Sequence, residues 1–220
     1  MNWKSRFAWN KTMQLKKASS EAIKYACLRF HYAKSIPANP FGYSVFNDAG
    51  DFCGCIVFGR GATPNVGKPY GLVVGEIIEL VRVALNGKHG KTSEAVAIAL
   101  RLIKKDAPLA KLVVSYADCD REHVGTIYQA GNWYYTGKVK EGTRAGFMIR
   151  GKFSHDRVNT KNIHKHGLKL NLENMRKAID PNASEVITKG KHKYLYPLRK
   201  DMIQLCVNLS VKYPKKAAEV

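Results

Sequence analysis

The sequence predicts a mixed α/β fold, a central sheet flanked by helices, followed by a basic C-terminal extension. Three observations predict it. The apolar patterns follow the order helix, two-stranded hairpin, long strand, helix, strand, helix, two strands. The chain has 220 residues, 45% hydrophobic and 25% charged, enough for one ordinary domain with a modest appendage. From Lys138 to Lys200 there are 16 basic residues against 5 acidic ones, without a readable period.

The first twenty residues alternate basic and apolar side chains and suit an arm or an edge element. Ser19, Ser20 and Glu21 then resemble a helix start, and Ile23, Ala26, Cys27 and Phe30 recur at helical spacing. That helix should stop before SIPANP, where two prolines demand extended backbone, leaving His31 and Tyr32 at its C-terminal end. FGYSVFNDAGDFCGCIVFGR reads as two strands joined by a short turn, and ATPNVGKPYG as a loop. EIIELVRVAL suits a central strand, with Arg82 near its end. NGKHGKTSEAVAIALRLIKKDAP suits a turn and an amphipathic helix. KLVVSYAD is a further strand, REHVGTIYQAG a short helix closed by Gly131, and WYYTGKV with AGFMIRG a final hairpin.

Thirty-seven Lys and Arg oppose 17 Asp and Glu, a formal net charge of +20. Such an excess favours a polyanion through phosphate neutralisation and counterion release, and nucleic acid is the leading partner. The longest apolar stretch, residues 71–85, is interrupted by Glu76, Glu79 and Arg82, so no membrane span is expected. The N-terminus lacks the apolar core of a secretory signal, which points to the cytoplasm. The five cysteines contain no CxxC pair and read as reduced thiols, with Cys53 and Cys55 packed in a core.

Three stretches can carry chemistry. In LVRVALNGKHGKTSEAVAIAL, Gly87, Gly90, Lys91, Thr92 and Ser93 lie between a strand end and a helix start. Backbone N–H groups and the helix dipole there favour an anion, although the spacing matches neither GxxxxGK[ST] nor GxGxxG and capping by Thr92 or Ser93 is the alternative. In SYADCDREHVGTIYQAGNWYYTGK, Asp118 ends a strand and Tyr128 follows on a helix. A carboxylate beside a phenol can relay a proton, whereas helix capping and a satisfied buried hydroxyl are the alternatives. In RFHYAKSIPANPFGY, His31 and Tyr32 precede the proline turn at the end of the sheet.

FHYAKSIPA, IVFGRGA, LVRVAL with Ser93 downstream, and VSYADCDREHVGTIYQAGNWYYTG together resemble the Mom family of phage DNA-modification proteins, over about residues 22–150. The resemblance implies a fold like that of the GCN5-related N-acetyltransferases, mostly antiparallel, for a catalytic domain over 1–152, while the basic excess marks 153–220 as a DNA-contacting extension. It implies conversion of adenine in double-stranded DNA to its N6-carbamoylmethyl (acetamido) derivative, which shields phage DNA from restriction in the bacterial host. His31, Tyr32, Arg82, Ser93, Asp118 and Tyr128 match the family's active-site pattern. Gly87, Gly90, Lys91, Thr92 and Ser93 would hold an acyl or aminoacyl donor, acetyl-CoA being one candidate. Iron is also linked to the family, with His31 and Asp118 as the ligands to test. NGKHGKTS departs from the usual acetyltransferase glycine signature. An N-acetyltransferase acting on a protein or small amine, and a non-catalytic basic DNA-binding protein, stay open, as does assembly into a homodimer.

Overall fold

The computed structural model describes residues 13–61 and 65–216. Its chain forms two compact units. Of the described residues, the first contains 13–61, 65–116, 125–136 and 193–213, and the second contains 117–124, 137–192 and 214–216. The segment expected as an extension from residue 153 therefore contributes to both.

The first unit is built on a seven-stranded sheet of order β1-β2-β3-β4-β5-β10-β6. Strand β1 (Gln14–Lys17) is its edge, the edge element expected near the N-terminus, while residues 1–12 of that stretch lie outside the described residues. Strands β2 (Phe41–Phe46), β3 (Phe52–Gly59) and β4 (Ile77–Leu85) continue it as an antiparallel meander, and β4 pairs in parallel with β5 (Leu112–Asp118). A parallel neighbour requires a crossover, which helix α2 (Thr92–Asp106) supplies. No helix of the described residues is long and apolar enough to cross a membrane.

Helix α1 (Ser20–Phe30) begins where Ser19 accepts the Ala22 N–H at 3.2 Å. Its buried stripe Ile23, Ala26 and Cys27 packs on Cys55, Val57 and Ala84. Successive strand residues point to opposite faces, so Ile56 and Phe58, equally buried, face the other side. There α2 lies against β2, and the Tyr43 hydroxyl donates to Asp106 at the end of α2 at 3.0 Å. The sheet is thus covered on both faces, as its near-continuous apolar strands require.

Two expectations change. REHVGTIYQAG does not form one helix. A 3-10 turn spans Cys119–Arg121, then Gly125 takes φ +77° and only α3 (Thr126–Gln129) follows. The final hairpin does not form either. Strand β6 (Tyr134–Val139) joins the large sheet beside β10 (Lys191–Pro197), whereas β7 (Arg144–Ile149) belongs to a separate sheet.

That separate sheet, β8-β7-β9, forms the second unit's framework with β8 (Lys152–His155) and β9 (Ser184–Ile187). Helices α4 (Asp156–His164) and α5 (Leu172–Ala178) enclose a core of Phe147, Ile163, Met175 and Ala183. Arg144 ties its elements, reaching Asp156 at 3.2 Å and Glu185 at 2.8 Å. In the first unit, α6 (Ile203–Leu209) places Cys206 against Leu112, Val114 and Leu195.

Candidate functional site

Arg82 owes its placement to an irregularity in β4. Val57 pairs with Arg82 but Phe58 pairs with Leu80, which leaves Val81 as the extra residue of a β-bulge. Paired residues share a face of the sheet, so Arg82 lies on the α1 side with Val57. Its Nη1 donates to the Val81 carbonyl at 2.7 Å and its Nη2 reaches Ser35 Oγ at 3.4 Å. Its Nε is buried and lacks a partner among the described residues. Among the described residues Arg82 forms no ion pair. Its charge is nevertheless felt by Cys27, whose thiol is raised by burial and drawn back down by Arg82. A half-buried guanidinium that forms no ion pair among the described residues is suited to an anionic or carbonyl oxygen of a ligand.

Ser35 arrives there because α1 stops at His31, whose backbone turns extended at φ −99° and ψ 138°. His31 Nδ1 accepts the Ala33 N–H at 3.1 Å, so in the neutral ring the proton sits on Nε2. The Tyr32 ring lies 4.3 Å from the His31 ring and is 44% exposed.

The loop after β4 carries Gly87 and Gly90 at φ +83° and +79°, a region that side chains with a Cβ rarely adopt. Lys91 is the N-cap of α2 and makes no side-chain cap bond. Thr92 does not cap the helix because its hydroxyl lies 2.8 Å from His89 Nε2. His89 is buried, and its Nδ1 has no partner among the described residues. The first turn of α2, with Ser93 in it and Lys88 and Lys91 beside it, is therefore left open to an anion. Sequence reasoning passed over His89; its signal was an imidazole between two glycines.

Burial lowers the His89 pKa, and burial followed by the Lys138 charge lowers that of His192, with Glu141 opposing. Both folded values lie below the ordinary value of 6.5, so the unfolded chain takes up protons first as the pH falls. Their contribution to stability is complete above pH 6.5 and is lost as the pH drops through the folded values. Thermal midpoints measured between pH 7 and about pH 5 should fall, and His89→Gln should flatten that slope.

Tyr128 and Asp118 occupy different units. The Tyr128 ring is buried against Trp133 and Tyr194 at 5.1 Å each. Ser115 Oγ lies 2.8 Å from both the Leu80 carbonyl and the Tyr128 hydroxyl. A serine has one proton, which the carbonyl takes, so the phenol completes the chain as donor. Burial pushes Tyr128 up to about 12, Ser115 pulling down and Glu79 adding to the rise. Trp133 is fully buried, whereas Tyr32 is exposed. Tyr116 is half-buried, its hydroxyl pKa raised by burial and by Glu79. Glu79 was not singled out from sequence, although an acid inside an apolar strand was the available signal. Asp118 caps the 3-10 turn, its Oδ1 accepting the Asp120 N–H at 3.1 Å, the capping alternative weighed above.

No group of three or more His, Cys, Asp or Glu side chains assembles among the described residues. His31 spends Nδ1 on the backbone and Asp118 spends Oδ1 on the Asp120 N–H. The described residues do not support the iron site expected for this pair, and no step is derived through a metal.

The family model described as the Mom protein family matches residues 12–215. The chain belongs to the Mom protein family. That membership supports a role in phage DNA modification, and the match extends the resemblance seen over 22–150 to nearly the whole chain. No curated protein matches this Mom-family chain. Similar solved structures include a mutant spermidine N-acetyltransferase from Vibrio cholerae, 9% identical with a TM-score of 0.49, covering 89% of this chain and 99% of its own. The same enzyme in complex with CoA and spermine is 6% identical with a TM-score of 0.46, covering 86% and 97%. A Bacillus subtilis acetyltransferase in complex with CoA is 9% identical with a TM-score of 0.44, covering 86% and 99%.

Proposed function

We propose that this Mom-family protein is a transferase that converts adenine in double-stranded DNA to N6-carbamoylmethyladenine and thereby protects the DNA from restriction. The observation that carries the reading is the family match over residues 12–215. The net charge of +20 supports a polyanionic substrate. The donor is a phosphate-bearing acyl or aminoacyl carrier that delivers two carbons and one nitrogen, as an aminoacyl group does; acetyl-CoA alone lacks the nitrogen and would give N6-acetyladenine.

Adenine N6 is conjugated with its ring and, in B-form DNA, lies within a base pair, so the base must leave the stack at a cost of a few kcal/mol. Tyr32 supplies an exposed aromatic face on which a flipped base can stack. Arg82 holds the donor's carbonyl or anionic oxygen through its half-buried guanidinium, with Ser35 steadying it. The open first turn of α2, flanked by Lys88 and Lys91, holds the donor's phosphate, and Gly87 and Gly90 keep the backbone accessible there. As the new N6–carbon bond forms, the bond from the transferred group to its carrier breaks, the carrier leaves with the electron pair, and the proton lost from N6 passes to the carrier or to solvent. What the chain contributes is orientation of base and donor and charge stabilisation at Arg82.

Nucleoside mass spectrometry of DNA from cells expressing the chain tests this reading. The expected result is an adenosine derivative heavier by one carbamoylmethyl group. Unmodified adenosine under good expression overturns it. Acetylated protein or polyamine without a DNA product would instead favour an ordinary N-acetyltransferase.

A further inference from the structure

The basic segment at the start of β10 is fixed in place by a carboxylate two residues beyond Asp118. Asp120 Oδ2 accepts the Thr188 hydroxyl at 2.6 Å, and its Oδ1 accepts the Lys189 N–H at 2.8 Å. The Thr188 hydroxyl in turn accepts the Gly190 N–H at 2.9 Å. Backbone bonds close the arrangement from two sides. Cys119 N–H donates to the Gly190 carbonyl at 3.1 Å, Gly142 N–H to the Thr188 carbonyl at 3.1 Å, and Thr188 N–H to the Thr143 carbonyl at 3.0 Å. Gly190, at φ +84°, lies so close to the 139–141 turn that a Cβ there would sit 2.8 Å from the Val139 carbonyl oxygen. All of these residues belong to the second unit.

The brace leaves Lys189 and Lys191 exposed, with Lys140 exposed on the facing turn at φ +60°. The acidic side chains nearby are engaged. Asp120 is spent on the loop, Asp118 caps the 3-10 turn, and Glu141 pairs with Lys138 at 2.8 Å. Burial alone would raise the Asp120 pKa, but its bonds to Thr188 and Lys189 hold the carboxyl below the ordinary range and keep the brace charged. A loop this constrained loses little freedom on binding, which favours affinity without new contacts.

We infer that residues 188–191, pinned by Asp120, form a preorganised grip for the DNA phosphate backbone beside the Asp118 segment. The inference rests on DNA being the substrate. It assigns phosphates to Lys189 and Lys191 and makes Asp120 a positioning residue for them. Phosphate contacts of this kind set register on the duplex and carry no base preference.

The test is the salt dependence of duplex binding by the full chain. Each phosphate contact contributes about −0.9 to the slope of log affinity against log salt, so replacing both Lys189 and Lys191 by alanine should flatten the slope by about 2. Replacing Lys104 and Lys105, exposed near the end of α2, removes equal charge elsewhere and should leave most of the slope intact. Asp120→Ala should weaken binding several-fold while the lysine charges remain, and Asp120→Asn should restore part of it. The two lysine substitutions are on the surface, so their result stands even if Asp120→Ala fails to fold. A slope for Lys189→Ala/Lys191→Ala equal to that of wild type or of the Lys104/Lys105 control overturns the grip, as does absence of salt-dependent binding by wild type. Nucleoside mass spectrometry keeps the two readings apart. Modified adenine with an unchanged slope refutes the grip alone, and a flattened slope without modified adenine refutes the enzymatic reading alone.

Discussion

Arg82→Ala should lower the modified fraction of adenine by roughly 100-fold or more at equal expression, the loss typical of removing one preorganised charge-stabilising donor. Thermal stability should change little. The guanidinium makes one bond to its neighbour's carbonyl and a long one to Ser35, has no ion pair among the described residues, and leaves Nε unsatisfied. Removing an unsatisfied buried donor relieves a cost rather than creating one. Arg82→Lys should recover little, because an ammonium point charge lacks the planar fork that presents Nε and both Nη groups in fixed directions. Ser35→Ala should cost only a few-fold, consistent with its 3.4 Å contact. Nucleoside mass spectrometry with thermal melts of the same variants measures both quantities. Wild-type modification by Arg82→Ala would remove Arg82 from the mechanism.

The bulge that aims Arg82 shows where sequence reading stops. Arg82 stood out in LVRVAL as a cation inside an apolar strand, but alternation alone does not reveal that Val81 is unpaired. Such a slip is a property of two strands together. Helix α1 was legible to its first residue because its cap is local, with Ser19 three residues before its partner Ala22. The final hairpin was misread for the opposite reason. WYYTGKV and AGFMIRG are joined by a short turn, yet β6 lies beside β10, which comes some fifty residues later in the chain. Local periodicity cannot weigh that remote partner. The basic excess after Lys138 announced a polyanion, but which lysines are held rigidly depended on Asp120 reaching Thr188 across 68 positions of sequence. For Tyr128 a satisfied buried hydroxyl was only the alternative to a proton relay with Asp118, and Ser115 as its partner was not legible.

Gly125→Ala should destabilise the chain by about 3 kcal/mol or more, through overpacking added to left-handed strain. Gly125 is the glycine of the HVGTIYQA motif that carries the family resemblance, and at φ +77° it caps α3. A Cβ there falls inside contact distance of the Tyr194 ring, 2.7 Å from Cζ and 2.8 Å from the hydroxyl oxygen. Tyr194 has no room to yield. It is fully buried, Gln129 Nε2 donates to its hydroxyl at 3.2 Å, and the Tyr128, Tyr135 and Tyr213 rings surround it at 5.1, 5.2 and 6.5 Å. For a chain of this size the midpoint should fall by roughly 10 °C. Gly87→Ala separates strain from overlap, since φ is +83° there but nothing lies within 4 Å of a built Cβ. It should cost only about 1 kcal/mol of stability while narrowing the donor loop. Equal melting losses for the two variants would mean that backbone strain alone, and not the Tyr194 ring, fixes glycine in the motif.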